Sequence, residues 1–104
     1  MITASALEEI VERICAGFDP EKIILFGSHA RDEATCQSDV DLLVVADTDL
    51  PPGRRFPAVR RLLADYPAGF DIIVKTPQEY RRWRSVVNHI VYVAEKYGKV
   101  LYER

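Results

Sequence analysis

Three aspartates are the residues of this chain whose spacing points most directly to chemistry. Asp39 and Asp41 stand two residues apart at the start of an apolar run that continues to Val45, and Asp71 lies near the start of a later run. Successive side chains of a β-strand point to opposite faces, so Asp39 and Asp41 are expected to leave one face about 6 to 7 Å apart. Two neighbouring carboxylates repel each other unless a cation offsets their charge. The pair therefore indicates a site for Mg²⁺, which binds one or two carboxylates together with substrate phosphates.

A glycine-serine turn precedes the aspartates and offers a place for an anion. Gly27 follows a first apolar run at residues 23–26, and Ser28 is predicted to be the N-cap of a short helix that extends to about Glu33. A residue without Cβ lets backbone N–H groups approach a ligand, and a helix N-terminus carries free donors and a partial positive charge. Gly27 and Ser28 are therefore predicted to bind phosphate groups.

Two short motifs resemble the signature of the DNA-polymerase-β-like nucleotidyltransferase superfamily, namely Gly27-Ser28-His29-Ala30-Arg31 and Ser38-Asp39-Val40-Asp41-Leu42. Over nearly its whole length the chain is similar to the minimal nucleotidyltransferases, the MNT-domain antitoxins that accompany HEPN-domain toxins. The resemblance implies an α+β fold, in which helices flank a small mixed β-sheet. Asp32 departs from the pattern, because many relatives have a glycine after the Ala-Arg pair, and this departure concerns the local turn.

The resemblance also implies a role for each site residue. Gly27 and Ser28 would hold the triphosphate of ATP, the substrate. Asp39, Asp41 and Asp71 would bind two Mg²⁺ ions and serve as the catalytic residues, with Asp71 as the base.

Two further side chains are predicted to contact the nucleotide. Ser38 precedes the aspartate pair and can contribute its hydroxyl, although a serine at a strand entry is more often a turn residue. Arg31 either reaches a phosphate or pairs with an aspartate and holds the short helix against the sheet, and the sequence leaves both alternatives open.

The implied activity is transfer of AMP from ATP to a tyrosine of a HEPN ribonuclease toxin, within a hetero-oligomer of antitoxin and toxin. Two alternatives remain: an antitoxin that neutralises its toxin by binding alone, and a nucleotidyltransferase for small molecules. Relatives of the latter kind carry a further domain for the acceptor, and the 104 residues of this chain leave no room for one. The acceptor site is therefore expected to be shared with the partner.

Length and charge set the remaining expectations. Residues 1–104 are sufficient for a single domain, and the net charge of −2 argues against direct binding of nucleic acid. Neither a membrane-spanning run of about 20 apolar residues nor a secretory signal is recognisable, so we expect a cytoplasmic protein without a membrane partner. In that compartment Cys15 and Cys36 are expected to be reduced.

Periodicity predicts the elements that position the site. Helices are expected over about residues 5–16, 56–66 and 77–97, the last with a break near 83–85, and strands over 70–75 and 100–102. The stretch 46–55 is predicted to be a loop with solvated Asp47 and Asp49, and Pro51-Pro52-Gly53 is interpreted as its breaker. The arginines of the helix that follows are expected on or near its outward side, and Pro67 and Gly69 are expected to end it; these arginines are Arg54, Arg55, Arg60 and Arg61. The last helical stretch is predicted to have one apolar stripe, made of Trp83, Val86, Val87, Ile90, Ala94 and Tyr97. His29 and His89 are expected to point to the surface. The cluster Arg81–Arg84 is interpreted as a solvated face around a core Trp83, with a partner surface as its functional alternative.

Overall fold

A computed structural model describes residues 2–35 and 37–104 as a four-stranded β-sheet with helices on both faces. In chain order the elements are α1 (Ala4–Phe18), β1 (Lys22–Phe26), a 3₁₀ turn (Gly27–His29), β2 (Val40–Val45), α2 (Pro52–Arg61), β3 (Phe70–Lys75), α3 (Pro77–Trp83), α4 (Ile90–Tyr97) and β4 (Lys99–Glu103). This arrangement confirms the predicted α+β class. Cys36 lies outside the described residues, so its reduced state stays a prediction.

The sheet is mixed and has the strand order β3-β2-β1-β4. Strand β1 runs antiparallel to β2 and to β4, whereas β2 and β3 are parallel because α2 carries the chain back between them. The register pairs Phe26 with Asp41 and Asp41 with Asp71. The end of β1 and the starts of β2 and β3 therefore meet at one end of the sheet, here called the acidic end and defined by Asp41 and Asp71.

Each face of the sheet has its own hydrophobic core. On the first face α1 and α2 cover alternate residues of β1, β2 and β3, and the buried set includes Ile10, Ile14, Ile23, Leu25, Val40, Leu42, Val44, Val59, Ile72 and Val74. On the second face α3 and α4 cover the intervening residues, with Ile24, Phe26, Leu43, Val45, Tyr80, Val91 and Ala94 buried. Strand alternation assigns Asp41 and Asp71 to this second face.

The helix predicted over 56–66 begins earlier and ends earlier in the structure, at Pro52 and Arg61. The prediction was wrong because Pro51-Pro52-Gly53 was interpreted as a breaker. Proline is tolerated in the first turn of a helix, where its missing N–H needs no partner. Arg55, expected on the outward side, is buried at 7% exposure. Its guanidinium donates to Glu79 Oε1 at 2.7 Å and to the carbonyl of Leu50 at 3.0 Å.

The helix predicted over 77–97 is two helices separated by residues 84–89. Its start was predicted correctly, since Thr76 and Glu79 form a capping box and Pro77 occupies the first turn. The predicted apolar stripe is wrong at Val86, Val87, Ile90 and Tyr97, because these four side chains are exposed. Its other two members, Trp83 and Ala94, do pack in the second core. The break changes the phase of α4, so that Val91 faces the sheet together with Ala94.

In the part of the chain that the structure describes, every helix is too short or too polar to cross a membrane.

Candidate active site

Asp41 and Asp71 lie side by side at the acidic end of the sheet. They are register partners on neighbouring parallel strands, which are about 5 Å apart. Both side chains leave the second face of the sheet, where Asp41 is half-buried and Asp71 is exposed. The strands that carry Asp41 and Asp71 therefore pair, which is a condition for these carboxylates to share a site.

Asp39 occupies a different position from the one predicted, because β2 starts at Val40 and Asp39 precedes it. The N–H of Val40 donates to the carbonyl of Gly69 at 2.9 Å, which holds this entry to β2 against the residue before β3. A Cβ on Gly69 would lie only 2.2 Å from Asp39 Oδ1. The exposed carboxylate of Asp39 therefore packs on a glycine at the entry to β3.

Gly27 has an equivalent relation to Asp41. Its φ of +73° lies in the left-handed region, and a Cβ at this position would lie 2.0 Å from Asp41 Oδ2. A residue with a side chain would be strained there and would displace the carboxylate. Gly27 is therefore required for the turn to pass over Asp41.

The predicted helix over residues 28–33 is instead a 3₁₀ turn at Gly27–His29, with Phe26 rather than Ser28 at the N-cap position. The backbone N–H groups of Ala30 and Arg31 both donate to the carbonyl of Gly27, at 3.1 and 3.2 Å. Asp32 then adopts a φ of +58°, which ends the helical conformation. Asp32 is the position at which the sequence departs from the nucleotidyltransferase pattern.

The other predicted nucleotide contacts take distinct positions. Ser28 is half-buried within the 3₁₀ turn. The Oγ of Ser38 accepts a hydrogen bond from the backbone N–H of Thr35 at 3.0 Å, which is the turn role that the sequence also allowed. Arg31 is exposed, and its nearest ionic contact is with Glu33 at 3.4 Å, an alternative that the sequence did not suggest.

Both histidines differ from their predicted surface positions. His29 is buried at the acidic end and bonds to the carbonyl of Ser38. His89 is half-buried, caps α4 by accepting from the N–H of Val91, and stacks on Trp83 with ring centroids 4.5 Å apart. His89 therefore stabilises the link between α3 and α4, and His29 belongs to the site.

The carboxylates of the site are electrostatically coupled. Burial raises the pKa of Asp41 above its ordinary value, and the negative charges of Asp71 and Asp39 raise the same pKa further. The neighbouring basic side chains of His29 and Arg31 lower this pKa to a smaller extent. A cation between the aspartates would relieve the repulsion, and carboxylate oxygens are the ligands that Mg²⁺ prefers.

The side-chain conformations do not form a ready-made cluster. Within residues 2–35 and 37–104, no three carboxylate, imidazole or thiol groups are close enough together to hold one ion. Asp39 rests on Gly69 and Asp41 on Gly27, so these two carboxylates lie against different glycines. The convergence of all three carboxylates on one shared site therefore stays a prediction.

Comparison with known proteins identifies the family to which this chain belongs. The family model of the nucleotidyltransferase domain matches residues 7–100. A candidate protein adenylyltransferase from Methanocaldococcus jannaschii is 34% identical over 82 residues, which cover 79% of this chain and 78% of that protein. The chain belongs to the nucleotidyltransferase domain family, as its two motifs predicted.

Solved structures share the fold. A candidate nucleotidyltransferase from Sulfolobus solfataricus is 27% identical with a TM-score of 0.64, over 93% of this chain and 77% of that one. A toxin-antitoxin structure with AMP-PNP has a TM-score of 0.69 at 20% identity, over 94% of this chain and 73% of that one. A mutant of the toxin-antitoxin MntA-HpeT has a TM-score of 0.70 at 18% identity with the same coverage. At these last two identities the likeness concerns the fold alone.

Proposed function

We propose that this nucleotidyltransferase transfers AMP from ATP to a tyrosine hydroxyl of a partner protein, a HEPN ribonuclease toxin that it neutralises. The observation that supports this proposal most is the pairing of Asp41 with Asp71 directly beside the Gly27 turn. Further support comes from the relative described as a candidate protein adenylyltransferase and from the fold shared with toxin-antitoxin structures.

In the proposed reaction the tyrosine oxygen forms a bond to the α-phosphorus of ATP. The bond from that phosphorus to the bridging oxygen of the β-phosphate breaks, and diphosphate leaves. Asp71 takes the proton of the tyrosine hydroxyl, whose ordinary pKa of about 10 keeps it protonated at neutral pH. Because the Asp71 side chain is exposed, a hydroxyl carried by another protein can reach it.

Asp39, Asp41 and Asp71 would hold two Mg²⁺ ions, which supply charge neutralisation at the phosphates and activation of the hydroxyl when bound. The raised pKa of Asp41 fits this role, since burial and then the negative charges of Asp71 and Asp39 disfavour its ionised form, which a bound cation would stabilise. Gly27 leaves room for the terminal phosphates, and Ser28 donates its hydroxyl to them. Arg31 and Ser38 lie near the same turn and are the further residues that would contact the nucleotide.

The test uses the purified protein, Mg²⁺, ATP labelled at the α-phosphate and the protein encoded next to it. We expect label on a tyrosine of that partner with the wild type and none with Asp71→Asn. Asp49→Asn is the matched control, because Asp49 is an exposed loop aspartate two residues from another one, and it should label like the wild type. Absence of label with the wild type would contradict the proposed activity.

A second candidate function is neutralisation by binding alone. Three exposed apolar side chains lie close in sequence to the exposed Arg81 and Arg82: Val86 and Val87 in the link between α3 and α4, and Ile90 at the start of α4. Apolar residues next to arginine are typical of protein interfaces. If Asp41→Asn still neutralises the toxin with unchanged affinity for it, binding suffices and transfer is dispensable.

A further inference from the structure

His29 is a buried histidine at the acidic end whose hydrogen bond fixes its tautomer. The side chain is only 7% exposed, and its Nε2 lies 3.2 Å from the carbonyl oxygen of Ser38. A carbonyl oxygen can only accept, so Nε2 carries a hydrogen and donates. Among the described residues no group bonds to the buried Nδ1.

This bond joins the two segments that carry the site. His29 ends the 3₁₀ turn that passes over Asp41, and Ser38 immediately precedes Asp39. Among the described residues of the intervening loop, the other backbone hydrogen bonds are to near neighbours, as from the N–H of Glu33 to Ser28 and from the N–H of Ser38 to Thr35. The His29 bond therefore links the two ends of the loop, next to the pairing of Phe26 with Asp41.

We propose that His29 is a positioning residue, which holds the Ser38–Asp39 peptide against the Gly27–His29 turn. The proposal rests on the proposed function for its effect on catalysis. Through this bond the phosphate-binding turn and the carboxylates of Asp39 and Asp41 keep a fixed spacing. Alignment of this kind is sensitive, since a displacement of about 1 Å can cost on the order of 100-fold in rate.

The unbonded Nδ1 distinguishes a hydrogen-bonding role of His29 from a role in packing alone. A buried polar atom without a partner destabilises the fold, so an apolar side chain of similar size would fill the same space at lower cost. What the imidazole supplies and an apolar residue does not is the donor to Ser38. Leucine at this position should therefore keep the fold and lose the alignment.

Two amide variants test the donor directly. In His29→Gln the side-chain N–H₂ can reach the position of Nε2, whereas in the shorter His29→Asn it ends near Nδ1. We expect kcat for AMP transfer to fall about 10- to 100-fold in His29→Asn and in His29→Leu, with KM for ATP changed less than threefold. His29→Gln should lie within about threefold of the wild type in kcat. Equal rates in the Asn and Gln variants, or a fully active Leu variant, would overturn the proposal.

A second readout does not depend on activity. We expect the backbone amide NMR signals of Gly27, Asp39 and Asp41 to move in His29→Asn without nucleotide, and to return towards the wild type in His29→Gln. Unchanged signals in His29→Asn would overturn the positioning role whatever the rates are. Conversely, a wild type that transfers nothing would contradict the proposed function, and the spectra would still decide the role of His29.

Discussion

Replacing Gly27 by alanine should lower both the free energy of unfolding and the rate of AMP transfer. A non-glycine residue in the left-handed conformation costs about 1 to 2 kcal/mol, and Gly27 has a φ of +73°. The new Cβ would lie 2.0 Å from Asp41 Oδ2, so the carboxylate must leave its position, at about 0.5 to 1.5 kcal/mol if it is forced off its rotamer. We therefore expect a loss of about 2 to 3 kcal/mol in the free energy of unfolding.

The effect on transfer should be larger than this loss of stability implies. Relief of the contact requires the Asp41 oxygen to retreat by more than 1 Å, because ordinary contact begins at 3.4 Å. A displacement of that size corresponds to about a 100-fold loss in kcat/KM for a protein that is still folded. Urea denaturation measures the stability, and AMP transfer below the unfolding transition measures the activity.

Substitutions at two other glycines separate the effect of the clash with a carboxylate from the effect of the positive φ. In Gly69→Ala the new Cβ would lie 2.2 Å from Asp39 Oδ1, but Gly69 lacks a positive φ, so activity should fall with less loss of stability than in Gly27→Ala. In Gly53→Ala nothing lies within 4 Å of the new Cβ, and α2 should gain up to about 1 kcal/mol with unchanged activity. If Gly27→Ala retains both the stability and the activity of the wild type, the account of the turn over Asp41 is wrong.

Three further predictions concern charge and capping. Because the pKa of Asp41 is raised, the folded state binds its proton more tightly than the unfolded state, and wild-type stability falls as pH rises from about 4 through the folded value. Asp41→Asn should thus be inactive, but more stable than the wild type at pH 7 without Mg²⁺. In thermal melts this gain in stability should vanish below about pH 4. The hydrogen bond from the Thr76 N–H, and then that from Arg55, lower the pKa of Glu79. Glu79→Gln should therefore lower the free energy of unfolding by about 1 to 2 kcal/mol at pH 7. This difference should shrink at lower pH, where the wild-type carboxylate becomes protonated. Thr76→Ala should lose about 1 kcal/mol in urea denaturation, because it removes the N-cap of α3, and an unchanged midpoint would contradict the capping argument.

The strands and their acidic starts were predictable because their signals are local. Phe70–Lys75 is a strand in the structure with the predicted bounds, since an apolar run between turn residues admits few alternatives. The approach of Asp71 to Asp41 is different, because it depends on which strands pair. Local patterns do not determine pairing, and only the resemblance to nucleotidyltransferases implied that these carboxylates share a site.

The wrong predictions concern polar residues that are buried by contacts with residues distant in sequence. Helical spacing assigned Arg55 to the solvent, but its guanidinium reaches Glu79, which lies 24 residues away. His29 was expected to be an exposed residue of a short helix, but its Nε2 donates a hydrogen bond to the carbonyl of Ser38 across the loop. A periodic pattern indicates which face of an element is buried, but it does not indicate which groups will accept hydrogen bonds from a buried donor. Gly69, which we interpreted only as a helix end, shows the same limit, since its contact with Asp39 requires β2 and β3 to be adjacent.

The sheet order divides the proposed roles among the aspartates. Asp41 lies on the inner strand β2, half-buried between Phe26 and Asp71 and covered by the Gly27 turn. Asp71 lies on the edge strand β3 and is exposed. A hydroxyl carried by another folded protein can therefore approach Asp71 from the open side, whereas the half-buried Asp41 is less accessible to it. On the proposed mechanism this favours Asp71 as the base and Asp41 as the residue that binds the shared cations.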